Sequence, residues 1–427
     1  MKPAETSGYA AALEFLYHLK IFGANFGLET PRRLAALVGH PQEKLRFIHV
    51  AGTNGKGSTC AMLESIYRAA GWRVGLFTSP HLVSFRERIQ VNRRWIPENE
   101  IVRLVAELRA AHPANAVTLF EFATVMALKY FAEQKCDLVI WETGLGGRLD
   151  ATNIVTPLAS VITNISFDHQ QWLGDTLAKI AAEKAGIIKT GVPVVTAENE
   201  PEALAVIEQV ARKNNSPIVQ ITEPATCNLQ PATSLIGEHQ KRNAALAVAT
   251  VEILQKQIPV SKTQIETGLQ QVNWPGRLQL VERGGQKILL DGAHNVAGAE
   301  TLRAALAKDF AGGKPVLIFG ALADKNWPDI CRLLAPLAAK IFTVPVASER
   351  TMNAAALAEC FRAANPATVA TACDNLANAL NASKDAPFIV ITGSLYLVGE
   401  ALERLGLSPV DGSERGLNEW LAPKIHK

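Results

Sequence analysis

Short apolar runs rich in β-branched and aromatic residues recur along the chain, separated by longer stretches whose apolar positions repeat at helical spacing. Phe47 to Ala51, Val74 to Phe77, Leu138 to Trp141, Ala159 to Thr163, Val192 to Thr196 and Ile218 to Ile221 read as strands. Ile101 to Ala111, opened by Pro97-Glu98-Asn99-Glu100, and Phe120 to Glu133 read as helices, Gly71 ends a further one, and Arg86 to Ile96 reads as a hairpin turning at Val91-Asn92-Arg93-Arg94. Strands alternating with helices predict a mostly parallel, doubly wound sheet. After Asn273-Trp274-Pro275-Gly276-Arg277 a second series starts at Gln279, with strands near Lys287 to Leu290, Val316 to Phe319, Ile341 to Val344 and Phe388 to Thr392. The expected fold is therefore α/β: a large P-loop-type domain over residues 1–274 and a smaller, Rossmann-like domain over 275–427.

One position breaks the helical pattern. On a helix starting near Asp175 the inward stripe runs Leu177, Ile180, Ala181, Lys184, Ile188, which puts a lysine among core residues. Such an amine must snorkel, pair with an acid, lose its proton or be modified; a neutral amine can take up carbon dioxide as a carbamate. Pattern alone favours snorkelling.

A chain of 427 residues with 48% hydrophobic and 19% charged residues has enough apolar material for two cores. No apolar run approaches the roughly 20 residues needed to span a bilayer, and the beginning of the chain lacks a basic segment followed by an apolar core, so the cytoplasm is expected. Six cysteines, Cys60, Cys136, Cys227, Cys331, Cys360 and Cys373, are scattered without metal-ligand spacing and read as reduced core residues. A net charge of +3 gives no footprint for nucleic acid. Any attraction for an anion must be local.

Candidate chemistry collects where strands end. Phe47 to Ala51 runs into Gly52-Thr53-Asn54-Gly55-Lys56-Gly57-Ser58, a glycine-rich loop with one lysine before a helix. Backbone N–H groups, the helix N-terminus and the Lys56 ammonium together suit a nucleoside triphosphate. The run departs from the common P-loop pattern at Gly57, where a metal-reaching serine or threonine usually stands, so Ser58, Thr59 or another loop must take that task. Leu138 to Trp141 delivers Glu142 beside a second glycine-rich loop, Gly144 to Asp150; Glu142 is placed to hold Mg²⁺, with capping or a salt bridge as the alternative. His169, after Ala159 to Thr163, reads as a metal ligand, an acid/base or a hydrogen-bonded structural histidine. In the second series Asp291-Gly292-Ala293-His294-Asn295 suits phosphate contact, helix capping or both, and Arg277 at the linker is within a swing of a nucleotide phosphate.

Taken in order, Gly52 to Ser58, Thr78-Ser79-Pro80-His81-Leu82, Phe120-Glu121, Glu142 to Asn153, Asp168-His169, Glu183-Lys184-Ala185-Gly186, Asn243, Pro275-Gly276-Arg277 and Asp291 to Asn295 resemble the Mur ligase superfamily. Within it the chain resembles the folylpolyglutamate synthase/dihydrofolate synthase family, on Gly57 and Thr78-Ser79-Pro80-His81, and the bifunctional bacterial form, on Arg148-Leu149-Asp150-Ala151-Thr152-Asn153. It departs at Val296, where proline is usual, and at Thr30, where arginine is common.

The resemblance implies an ATP-dependent ligase joining L-glutamate to dihydropteroate and to folates through an acyl phosphate. It implies triphosphate contacts from Gly52, Thr53, Asn54, Gly55, Lys56, Gly57 and Ser58, further nucleotide contacts from Asn243, Arg277 and Asp291, and magnesium at two sites held by Ser79, Glu142 and His169. His294 falls beside the transferring phosphate, Lys184 matches a carbamylated lysine, and Thr118, Leu119, Phe120, Glu121, Leu149, Asp150 and Ala151 match a dihydropteroate pocket. A monomer acting on small molecules, with neither nucleic acid nor membrane as partner, is expected. A Mur-type ligase on a cell-wall nucleotide precursor shares this chemistry, but such enzymes carry a further N-terminal domain and here only residues 1–46 precede the phosphate-loop strand. A nucleotide-dependent switch would leave Lys184 and the run Asp291 to Asn295 without a task.

Overall fold

The structure, a computed structural model, describes residues 8–19, 27–111, 117–222, 232–310, 312–410 and 414. Cys227 lies outside the described residues.

Eight strands form the first sheet: β1 (Phe47–Ala51), β2 (Val74–Phe77), β3 (Ile89–Val91), β4 (Arg94–Trp95), β5 (Leu138–Glu142), β6 (Ala159–Ile162), β7 (Val194–Thr196) and β8 (Ile218–Gln220). Their order is β4-β3-β2-β5-β1-β6-β7-β8, parallel except at one edge, where β3 pairs antiparallel with both β2 and β4. The β3–β4 hairpin turn consists of Asn92 (φ 48°) and Arg93 (φ 64°), the pair of left-handed residues that a two-residue turn requires.

Uninterrupted apolar strands arise because both faces of the sheet are covered. Along β1 and β5, Ile48, Val50, Leu138 and Ile140 enter one core with the helices Lys56–Ala69 and Glu238–Ile253. Phe47, Val139 and Trp141 enter another with Leu119–Glu133. A period of two divides each strand between two cores, which is the meaning of doubly wound. The second sheet repeats the scheme with β9 (Gln279–Arg283), β10 (Gln286–Leu290), β11 (Val316–Phe319), β12 (Lys340–Thr343), β13 (Val369–Ala372) and β14 (Phe388–Thr392), in the order β13-β12-β11-β14-β10-β9. Leu289, Leu317 and Val390 face one core; Ile288, Ile318 and Ile391 face the other.

The expected α/β fold with two mostly parallel sheets is the one observed. Two elements differ from the sequence expectation. Gln279 opens an antiparallel hairpin, β9–β10 around Gly284-Gly285, rather than a βαβ unit, and β13 is an additional strand. Both are edge strands that interleave polar or small residues with few apolar ones, so neither carries the apolar run that marks the central strands.

In the first sheet β1 lies between β5 and β6, so the loops leaving these three strands meet where the winding reverses direction. The polar strand ends of the sequence therefore open on one crevice.

Candidate functional site

The crevice encloses about 310 Å³ between the two sheets. Gly52, Thr53, Asn54, Gly55, Lys56, Gly57, Ser58, Ser79, Glu142, His169, Lys184, Asn243, Arg277, Asp291 and His294 all line it. Thr118, Leu119, Phe120, Glu121, Leu149, Asp150 and Ala151 do not.

The phosphate loop is held from beneath by the turn after β6. Thr53 donates its N–H to the Asn164 carbonyl at 2.7 Å, Asn54 N–H donates to Asn164 Oδ1 at 2.8 Å, and Thr163 Oγ1 donates to the Asn54 carbonyl at 2.7 Å. Two glycines are obligatory. A Cβ on Gly52 would stand 1.8 Å from Thr163 Oγ1, and Gly55, at φ 83°, would place one 2.6 Å from Asn243 Oδ1. Lys56, the first residue of its helix, reaches back with Nζ donating to the Gly52 and Thr53 carbonyls, each at 3.1 Å.

The second sheet meets this loop through Asn295, which caps the helix Val296–Asp309 by accepting the Gly298 N–H at 2.8 Å. Its amide also exchanges two hydrogen bonds with the Asn54 amide, at 3.2 and 3.0 Å, and donates to Asp168 Oδ2 at 3.1 Å. Lys325 Nζ donates to Asp168 Oδ1 at 2.8 Å from the far side. Asp168 is thereby bracketed by His294, Lys325 and His169, and these positive or donating neighbours overcome its burial and hold its carboxyl well below the usual range. Asp291 accepts the Leu278 N–H at 2.9 Å and the Ala293 N–H at 3.0 Å, fixing the linker beside Arg277 and leaving the helix cap to Asn295, while it also lines the crevice. His294 donates through Nδ1 to the Gly292 carbonyl at 2.7 Å, which turns Nε2 toward Asp168 at 3.7 Å.

Burial drives several groups in the crevice toward neutrality, His239, Arg277 and Asp291 among them and, of most consequence here, Glu142, His169 and Lys184. Glu142 accepts the Ser79 N–H at 3.0 Å, and its carboxyl is pushed up to about 7. His169 is pushed down to about 3, by burial first and then by Lys325, so its imidazole is neutral and can offer a lone pair to a ligand. Lys184 is 4% exposed and is pushed down to about 7, by burial first and then by nearby Lys56. The snorkelling expectation fails here: Nζ turns inward and donates to the Gly52 carbonyl at 2.7 Å. Its helix, Leu177–Ala185, is covered by the loop after β5, whose Gly147 packs so close that a Cβ would stand 2.9 Å from the Glu183 and Lys184 carbonyls.

That loop is organised by Asp150. Its Oδ2 accepts the Gly144 and Leu145 N–H groups at 3.0 and 2.8 Å, and its Oδ1 accepts the N–H and hydroxyl of Thr152. Four donors use the acceptor capacity of both oxygens, so the carboxylate is committed to its own loop. Glu121 is likewise engaged in a capping box with Thr118, accepting its N–H and hydroxyl at 2.8 Å each. Phe120 touches the crevice indirectly, through a ring so close to Gly144 that a Cβ there would lie 2.5 Å away.

Two thirds of the chain matches family models in the order the sheets require: the Mur ligase middle domain over residues 50–226 and the Mur ligase, glutamate ligase domain over residues 276–395. A dihydrofolate synthase/folylpolyglutamate synthase of Bacillus subtilis is 38% identical over 93% of this chain and 99% of its own length. The chain belongs to the folylpolyglutamate synthase/dihydrofolate synthase family. Escherichia coli FolC solved with DHPP and ADP superposes with a TM-score of 0.83 at 32% identity, over 95% of this chain and 99% of that one. Mycobacterium tuberculosis folylpolyglutamate synthase, solved with ADP and AMPPCP, gives 0.86 at 30% identity over 94% and 100%. A Lacticaseibacillus casei relative, 35% identical over 88% of this chain and 94% of its own, carries the name folylpolyglutamate synthase alone.

For this family member, sequence reasoning missed Lys325 and the bridging role of Asn295. Lys325 follows the carboxyl end of β11, so the strand-end rule that found Glu142 and Asp291 would have found it too.

Proposed function

We propose that the chain ligates L-glutamate to dihydropteroate, forming dihydrofolate, and to the γ-carboxylate of tetrahydrofolate, lengthening a polyglutamate tail, with ATP cleaved to ADP and phosphate. The observation that carries this reading is the double hydrogen bond between Asn54 and Asn295, which seats the strand-end turn of one sheet on the phosphate loop of the other. A switch needs only the loop; a ligase needs a second surface facing the γ-phosphate. Substrate carboxylate attacks that phosphate, and the acyl phosphate is then opened by the glutamate amine, within a crevice whose closure keeps water out.

In this reading residues 1–274 bind nucleotide and pterin and 275–427 bind glutamate. Gly52 to Ser58 cradle the phosphates, Asn243, Arg277 and Asp291 hold the rest of the nucleotide, and Lys56 and His294 flank the transferring group. Ser79, Glu142 and His169 suit Mg²⁺. The donor set fits, because a hydroxyl, a buried carboxyl short of compensating charge and a neutral imidazole all line the crevice. Among the described residues no three His, Cys, Asp or Glu side chains form a cage of their own, as expected for an ion completed by nucleotide phosphates and water. When bound, magnesium supplies charge stabilisation to the phosphates. Lys184, with its amine pushed down to about 7 and so substantially unprotonated near neutrality, suits carbamylation.

The pterin pocket is assigned to the wall formed by Thr118, Leu119, Phe120 and Glu121 and the loop Leu149, Asp150 and Ala151, with Phe120 and Asp150 both packed against the crevice-lining Gly144. Bifunctionality is supported by the double names that the Bacillus subtilis and Escherichia coli relatives carry. We place the protein in the cytoplasm as a monomer without nucleic-acid or membrane partners, consistent with the small net charge and with no described helix long and apolar enough to cross a bilayer. The test is product mass analysis after incubating purified protein with ATP, glutamate and either dihydropteroate or tetrahydrofolate. Both should gain one glutamate with matching ADP release. Extension of tetrahydrofolate alone would leave a monofunctional folylpolyglutamate synthase, and no ligation of either would end the proposal.

A further inference from the structure

The departure of Gly57 from the usual P-loop pattern has a partner in the structure. A Cβ on Gly57 would lie 3.0 Å from Cζ2 and Nε1 and 3.2 Å from Cε2 of Trp274. The indole of the linker thus rests on the backbone of the first turn after Lys56, where any side chain would push it away. Over the ring stands the Arg93 guanidinium, 5.3 Å from its centroid. Arg93 also donates to the Asn273 carbonyl at 2.6 Å and stands 4.0 Å from Glu64, which is fully buried on the phosphate-loop helix. Three residues beyond Trp274, Arg277 lines the crevice, and between them Gly276 (φ 71°) is pinched by Leu82 and by Val398 of the second sheet's layer.

We propose that Trp274 is a positioning residue: clamped between Gly57 and Arg93, it ties the phosphate loop to the linker, so that nucleotide on the loop sets where Arg277 and the second sheet stand. Glycine at position 57 is the condition for that contact, and the hydroxyl lost there is the consequence. A shift of the ring by a few tenths of an ångström is passed to Arg277 through a short, tightly packed segment. The inference rests on the nucleotide-binding reading of the loop, and its kinetic arm also on the ligase reading.

Trp274→Ala is expected to lower kcat about ten- to hundredfold while KM for ATP changes little, because the phosphate loop itself remains intact. Trp274→Phe, which keeps a flat ring, should recover most of the loss at equal thermal stability. Arg93→Ala, which removes the guanidinium over the ring, should reduce kcat in the natural background and have no further effect with Trp274→Ala. Hydrogen exchange supplies a readout independent of ligation. ADP should protect the amides of Gly55 and Gly57, on either side of Lys56, in all variants, but those of Gly276 and Leu278 only where an aromatic ring occupies position 274. Linker protection that persists in Trp274→Ala, or additive losses in the double variant, would overturn the clamp. Absence of ligation by the natural protein with linker protection intact would overturn the ligase reading and leave the clamp standing.

Discussion

Lys184 gives the sharpest test of the site, because burial moves its amine from 10.5 to about 7. At about pH 7.5 the uncharged fraction of an ordinary lysine is about one in a thousand; at a pKa of about 7 it is about three quarters. Only the uncharged amine adds carbon dioxide, so the burial that disfavours the ammonium raises the reactive population by nearly three orders of magnitude. The same shift fixes the sign of a stability effect. Between about pH 7 and 10.5 the unfolded chain holds a proton on this lysine that the folded chain has released, so the unfolded state binds more protons and stability rises with pH across that window. The penalty from this lysine is about 4 kcal/mol near pH 7.5 and about 2 kcal/mol near pH 9.

Lys184→Met removes the titrating group while filling much of the same volume. In carbon-dioxide-free buffer its unfolding free energy, measured with denaturant, should gain on the natural protein by about 2 kcal/mol as the pH is lowered from about 9 to 7.5, whatever constant offset arises from losing the bond to the Gly52 carbonyl. Its activity should be lost at every pH. In the natural protein, bicarbonate should restore turnover lost on degassing. A stability difference independent of pH would show that the amine is not depressed, and the carbamate would then lack its chemical basis.

Glu142→Gln replaces a carboxyl already pushed up to about 7 with a neutral isostere, so thermal stability should hold while turnover falls on the order of a hundredfold and the magnesium dependence weakens; unchanged kinetics would remove Glu142 from the metal. Asp150→Ala leaves four donors without their acceptor and should cost about 2–4 kcal/mol of stability, with dihydropteroate and tetrahydrofolate ligation falling together if Asp150 serves the pocket by shaping its loop; loss of the first alone would show that the carboxylate itself contacts the pterin. Asp168→Asn should cost about 3 kcal/mol at neutral pH by leaving the largely buried Lys325 ammonium without its ion pair. Because the Asp168 carboxyl is depressed, that difference should be present above about pH 4 and fade as the pH falls toward the folded value; a difference constant with pH would contradict the pairing.

Much of the fold was legible because central parallel strands are buried on both faces and so spell near-continuous apolar runs, as Phe47 to Ala51, broken only by His49, and Leu138 to Trp141 do. β13 spells Val-Ala-Thr-Ala with three of four residues exposed, and nothing in that string distinguishes an edge strand from a turn. Lys184 shows the limit of a periodic pattern. The stripe gave the face of the helix correctly but not the depth, which depends on a loop more than thirty residues earlier lying across the helix end. Asp150 shows another limit: sequence placed it after a glycine-rich loop, where a carboxylate can equally face a ligand or fold back on backbone N–H groups, and only the folded loop brings four donors to it. Lys325 stands after a strand end that a sequence reading can mark, but its pairing escapes such a reading because its partner, Asp168, is 157 residues away in the other sheet's layer.

The electrostatics of the crevice follow from one condition. Glu142, His169 and Lys184 all shift toward their uncharged forms, with burial as the first cause in each. A crevice that had evolved for stability alone would set such groups in close ion pairs, as Lys325 and Asp168 are set 2.8 Å apart. Held uncharged instead, a carboxyl gains from an arriving cation, a neutral imidazole can coordinate a metal, and an amine is open to an electrophile. On the proposed reading, magnesium, nucleotide phosphate and carbon dioxide would answer these demands together. A cation beside Glu142 also draws its carboxyl down from about 7, which in turn strengthens the hold on that cation. The nucleotide, the ion and the modified lysine should therefore bind cooperatively, and the affinity for magnesium measured without nucleotide should be much weaker than the affinity measured with it.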